Sequence, residues 1–314
     1  MARTALAREQ LFALRETIAR LEGKPLPALA AAESQALAEE EKSGKADATP
    51  RLPFGISLLD EALEGGLPLD GITEIRSGLL RDAGASSGLV LALASRLQHR
   101  EGGSGQFLPV LWIADRISMI EAGMPYAIGL RDFGLRQDHF LHAAPRRLEE
   151  ALWLAEVAIE SGAFCATILE VCGNPAHFGL AESRRLSLRA KAAGRPLFLL
   201  RQAGEEEASS ASFRLFVRPA PAGLRPLPDG SRLGGSIAGP AFRLTLEKSR
   251  NPAPLSLILE WNSHDRQFVL VDRAEHAFPS DEQPAHPGAQ PSAPAHRSGR
   301  PQTMGALLAF ERAS

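Results

Sequence analysis

Two cysteines, a near balance of charge and no long apolar run set the first limits on this 314-residue chain. Cys165 and Cys172 are too few for a disulfide framework or a cysteine zinc site, and each sits in or beside an apolar run. Both are expected to be reduced and packed. With 35 basic against 37 acidic side chains the formal net charge is -2, so any contact with nucleic acid needs a local patch. No segment reaches the roughly 18 apolar residues that a membrane helix requires, and the N-terminus has no apolar signal core. The expectation is a cytoplasmic protein that does not contact membrane. Catalytic signatures are missing too. There is no G-x-S-x-G elbow and no Cys-His pairing, and His139 and His142 have a spacing that does not suit a metal-binding helix turn. Neither a metal site nor a cofactor is expected.

What the chain does carry is an alternation of strands and helices. Ile72 to Ile75, Leu108 to Ala114, Phe140 to Ala143, Phe164 to Val171 and Pro196 to Arg201 read as strands. Helical periodicity falls between them at Ile120 to Leu130, Arg147 to Ser161 and Leu180 to Ala193. This recurrence implies an α/β fold with a mostly parallel central sheet and helices on both faces. The later strands, Phe213 to Pro219, Phe242 to Lys248, Leu255 to Trp261 and Phe268 to Val271, follow one another without helices and suggest antiparallel edge strands.

The stretch from Phe54 to Leu93 organises the rest. Ile72 to Ile75 is a strand, Gly78 breaks it, and Ala85-Ser86-Ser87-Gly88 precedes an apolar helical run from Leu89 to Leu97. A phosphate-binding loop, G-x-x-x-x-G-K-[S/T], has the same order: amides wrap the phosphates, the lysine offsets their charge and the hydroxyl holds magnesium. In this frame stand Ala83, Gly84, Ala85, Ser86, Ser87, Gly88, Leu89 and Val90. The cation and the metal-bearing oxygen are both replaced by aliphatic side chains, so hydrolysis is not expected. Arg81, or amides of a loop opening at Gly84, are the residual routes to an anion. Ser86 and Ser87 are expected as helix-capping loop residues.

Gly55, Leu59, Asp60, Gly65, Gly66, Leu67, Pro68, Gly71, Ile72, Glu74 and Ile75 match the segment that precedes the phosphate loop in the RecA family, and Ser86-Ser87-Gly88 matches the start of that loop. A few residues are inserted around Leu79 to Asp82, and the Lys-Thr pair is lost. A RecA-like core without its lysine resembles the ImuA-type mutagenesis proteins of bacteria. That resemblance implies a non-catalytic accessory role in SOS-controlled translesion synthesis. Its partners would be a catalytically inactive Y-family polymerase homologue of ImuB type and an error-prone C-family DNA polymerase. RecA, DNA and a second copy of the chain are further candidate partners. The alternatives are an ATP-dependent recombinase-like enzyme with an altered phosphate site and a SulA-like inhibitor of cell division. In RecA-like enzymes an acid near Glu170 supports magnesium and a glutamate near Asp115 and Arg116 activates water; with the loop lysine gone, Glu170 is expected to be structural.

The expected organisation is an N-terminal amphipathic helix within 1–24, a linker at 25–51, a RecA-like core at 52–275, a disordered Pro/Ala-rich tail at 276–303 and an apolar docking segment at 304–314. Leu11, Leu14 and Ile18 in the first, and Leu307, Leu308 and Phe310 in the last, are the candidate docking residues, and each segment either docks a partner or second copy or packs back on its own domain. Arg184, Arg185, Arg189 and Lys191 put most of the charge of one helix on one side. They form a solvated face or a contact with DNA or a partner, which Arg214 and Arg218 would extend.

Overall fold

The computed structural model describes residues 50–100, 107–225, 227, 229, 231, 233–249 and 255–271. These lie in one of two units into which the chain divides, Met1–His276; the other is Ala277–Ser314. The expectations for the N-terminal helix, most of the linker, the tail and the docking residues Leu11, Leu14, Ile18, Leu307, Leu308 and Phe310 fall outside the described residues.

The strands are β1 (Arg51–Leu52), β2 (Leu67–Pro68), β3 (Ile72–Arg76), β4 (Val110–Ala114), β5 (Phe140–Ala143), β6 (Ala166–Cys172), β7 (Leu197–Gln202), β8 (Phe213–Ala220), β9 (Ala241–Lys248), β10 (Leu255–Asn262) and β11 (Gln267–Leu270). Nine of them form one sheet in the order β11-β10-β9-β8-β3-β7-β6-β4-β5. From β8 through β5 every pairing is parallel. From β8 outward to β11 every pairing is antiparallel. This matches the alternation read in the sequence, with one refinement: β8 joins the parallel set through β3 and turns antiparallel only toward β9.

The helices are α1 (Ser57–Ala62), α2 (Ala83–Gln98), α3 (Arg116–Ala122), α4 (Ala127–Asp132), α5 (Leu148–Ser161) and α6 (Leu180–Ala193). Because neighbouring strand residues point to opposite faces, β4 sends Val110, Trp112 and Ala114 into one core and Leu111 and Ile113 into the other. The first core takes Leu89, Val90 and Leu93 of α2; the second takes Leu152, Ile159 and Leu186 from α5 and α6. The helix expected from Ile120 to Leu130 is two helices. Gly123 has φ 88°, outside helical space, and Pro125 lacks the amide a continuous helix would need.

The glycine-spaced stretch before β3 has a structural explanation. The Asp60 carboxylate accepts from the amides of Phe54 (2.6 Å) and Gly55 (2.8 Å), which fixes the turn into α1, while Leu59 is fully buried. At Gly66, φ is 123° and a Cβ would lie 2.4 Å from the carbonyl oxygen of Leu52, so only glycine lets β2 return against β1. Asp60 thus serves the turn into α1 and Gly66 the return of β2 against β1.

Candidate functional site

In α/β sheets ligands bind beyond the carboxyl ends of the parallel strands, at the start of a following helix. Here that place lies between β3, β7, β6 and the first turns of α2. The sequence predicts a loop at Ala83 to Gly88 with the helix starting at Leu89. Instead a 3-10 turn at Leu80–Asp82 leads directly into α2, which starts at Ala83. Ala83-Gly84-Ala85 meets little resistance to helix, and neither Gly84 nor Gly88 takes a positive φ. A cradle of converging amides needs the chain to turn, and this one continues as helix.

Gly88 is held in place by packing. A Cβ there would lie 3.0 Å from Cζ of Phe133 and 3.0 Å from Cε1 of Phe242. Leu89 and Val90, which stand where the lysine and threonine would be, are fully buried in the core beneath α2. Gly84 and Arg81 are exposed.

Ser86 and Ser87 do not cap the helix, because α2 starts at Ala83, six residues before the expected start at Leu89. They face the sheet and join a buried polar network centred on Gln202, the last residue of β7. The Gln202 Oε1 atom accepts from Ser86 Oγ (2.7 Å) and Ser77 Oγ (2.9 Å). Its Nε2 donates to Ser87 Oγ and to Glu170 Oε1, both at 2.9 Å. Trp112 Nε1 donates to the other Glu170 oxygen at 2.9 Å. Thus both donors and both acceptor positions of the Gln202 amide are used. No cation belongs to this set. Burial, with the nearby Asp115 charge, raises the Glu170 carboxyl above its ordinary value despite the hydrogen bonds from Gln202 and Trp112. Asp115 caps α3 by accepting from Ser118 N at 2.8 Å. Arg116, next to it, is exposed.

The opposite face of the same sheet end is charged. Glu74 of β3 is fully buried between Arg201 Nε (3.3 Å) and Arg214 Nε (3.1 Å), and Ser209 Oγ donates to it at 2.5 Å. Burial opposes ionisation, yet Arg214, Ser209 and Arg201 together lower its pKa. Arg201 also donates to the carbonyl of Gly173 (3.0 Å) and lies over the Phe178 ring, while Arg214 reaches Glu206 (3.3 Å). The expectation that Arg214 extends a surface basic patch is corrected: its guanidinium is interior and committed to Glu74. Periodicity alone could not show this, because an arginine on an alternating strand reads as outward-facing. A sharper signal was Arg201-Gln202 closing the apolar run Leu197 to Leu200, where polar side chains at a strand end needed buried partners.

On α6, Arg184, Arg185 and Lys191 are exposed and Arg189 is half-buried. Arg185 pairs with Glu156 of α5 at 2.5 Å, and Arg189 pairs with Glu156 (3.1 Å) and Glu160. Part of the basic face is therefore spent on holding α5 to α6. Cys165 and Cys172 are free thiols, and burial pushes Cys165 up to about 11. Among the described residues no group of three or more His, Cys, Asp or Glu could hold a metal ion, and no helix is long and apolar enough to cross a membrane.

The chain is thus an α/β protein with a large, mostly parallel central sheet, whose candidate ligand edge on the α2 side is filled by a closed neutral hydrogen-bond network beside one carboxylate. No protein-family model matches the sequence, and no curated protein matches it.

Proposed function

We propose that this chain is a catalytically silent, RecA-like accessory protein of damage-induced translesion DNA synthesis, similar to the ImuA-type proteins that its sequence resembles. It works in the cytoplasm without a cofactor, through contacts with an inactive Y-family polymerase homologue of ImuB type and an error-prone C-family DNA polymerase. One observation supports the silent half of this reading: helix α2 starts at Ala83 and buries Leu89 and Val90, so the loop position offers neither turning amides nor a cation to a triphosphate. Glu170, when ionised, would repel one. The family half rests on the resemblance alone.

Two measurements test the two halves separately. Titration of the purified protein with ATP and magnesium is expected to show no saturable binding; micromolar, magnesium-dependent binding would instead favour a recombinase-like ATPase. Affinity purification from damaged cells is expected to recover the two polymerase-family partners. Recovery is expected to fall when 304–314 is removed; unchanged recovery moves the contact elsewhere, and absence of both partners from the intact protein's eluate ends the translesion reading.

A further inference from the structure

Five large apolar side chains lie bare within twelve residues. Ile117 and Ile120 on α3, Met124 and Tyr126 in the connection that follows, and Ile128 on α4 are exposed by 63, 69, 63, 68 and 47%. Between Ile117 and Ile128 the only charged residue is Glu121. Single exposed apolar residues are ordinary; a run of this density marks a surface that something covers. The chain holds a matching segment. From Ala5 to Leu21, the residues Leu6, Leu11, Leu14, Ile18 and Leu21 keep helical spacing, with charged residues between them, and lie outside the described residues.

We infer that the segment 5–21 of the same chain covers the Ile117–Ile128 surface. Length decides between this occupant and a second copy. Residues 22–49 join the segment to the first described residue, Pro50. These 28 residues can reach at most ~95 Å when fully extended, more than the diameter of a domain this size. A covalent connection that reaches raises the local concentration of the segment well above ordinary protein concentrations, so the copy in cis outcompetes one in trans. The surface uses no residue of the Gln202 network or of the Glu74 cluster, and its occupancy does not depend on the translesion reading.

Hydrogen exchange by mass spectrometry on the full chain tests it. Replacing Leu11→Asp, Leu14→Asp and Ile18→Asp together is expected to make the amides of 117–128 exchange about tenfold faster or more, at high and low protein concentration alike. The reciprocal variant Ile120→Asp, at an exposed position, is expected to speed exchange in 5–21 while leaving exchange of the β3, β6 and β7 amides unchanged. Identical exchange of 117–128 in the parent and the triple variant would overturn the assignment. So would protection in the parent that is lost on dilution, since that would assign the surface to a second copy.

Discussion

Two glutamates are buried at the same end of the same sheet, one on each face, and their surroundings drive them in opposite directions. Glu74, on the α5 and α6 side, sits between two arginines and is held ionised. Glu170, on the α2 side, receives only neutral donors and is pushed toward its protonated form. The difference shows where this sheet end keeps its positive charge. Arg201 precedes the network residue Gln202 on β7 and Arg214 lies on β8, yet strand alternation turns both away from α2. A triphosphate over α2 would therefore meet the Glu170 carboxylate and a Gln202 side-chain amide already in use, while Arg201 and Arg214 lie across the sheet with their own partners.

The comparison breaks most sharply at Glu74. The substitution Glu74→Gln leaves two interior guanidiniums without their shared counter-charge, and removing one partner of a buried ionic cluster costs about 3–5 kcal/mol. Urea unfolding at neutral pH is expected to show a loss of that size. A loss below about 1 kcal/mol would mean that Glu206, Glu207 and the carbonyls around the arginines suffice without Glu74. On the α2 face the corresponding weak point is a shape, not a charge. Gly88→Ala adds a methyl 3.0 Å from two phenyl carbons, those of Phe133 and Phe242. The rings must give by a few tenths of an ångström, which costs about 1–3 kcal/mol, against about 1 kcal/mol gained by replacing a mid-helix glycine with alanine. A midpoint at or above the parent's would show that the ring shift costs no more than this helix gain, and that packing does not fix the glycine of the loop frame.

Much of the fold was legible in the chain because parallel strands, being buried on both faces, read as short apolar runs. Val110 to Ala114, Ala166 to Val171 and Leu197 to Leu200 are of this kind, and all three form the strands expected. The start of α2 was not legible. The motif frame suggested a loop at Ala83 to Gly88, but Ala-Gly-Ala-Ser-Ser carries no signal that forbids helix, and the rings of Phe133 and Phe242 that pin Gly88 come from 45 and more residues downstream. The basic helix was half legible: its charge is real, but Glu156 and Glu160 lie on a different helix, and side-chain spacing within α6 could not reveal that they take up Arg185 and Arg189. Both clusters at the sheet end escaped for the same reason. Each joins residues more than 100 positions apart, such as Glu74 with Arg201 and Ser86 with Gln202.

The smallest effect is the one that separates the two glutamates most cleanly, because it appears as a sign. Glu74 has a folded pKa below its ordinary value of 4.5, so the stability it contributes is complete above that value and is lost as pH falls through the folded pKa. Glu170 has a folded pKa above 4.5, so on acidification the native protein takes up this proton before the unfolded chain does. Its contribution therefore improves as pH falls from the neutral range toward 4.5 and is constant below. Glu170→Gln removes that titration. The amide oxygen can accept from only one of Gln202 and Trp112, leaving one buried donor short, while the cost of burying a charge disappears; the two offset to within about 1 kcal/mol at neutral pH. Relative to the parent, Glu170→Gln is therefore expected to lose urea stability as pH falls from neutral to 4.5, a difference in which the loss that the lowered His142 pKa imposes on both proteins cancels, and to keep the loss below 4.5 that belongs to Glu74. Superimposable profiles for parent and variant would mean that Glu170 titrates as an ordinary carboxylate. The network over α2 would then be open to water, and the contrast between the two faces would no longer hold.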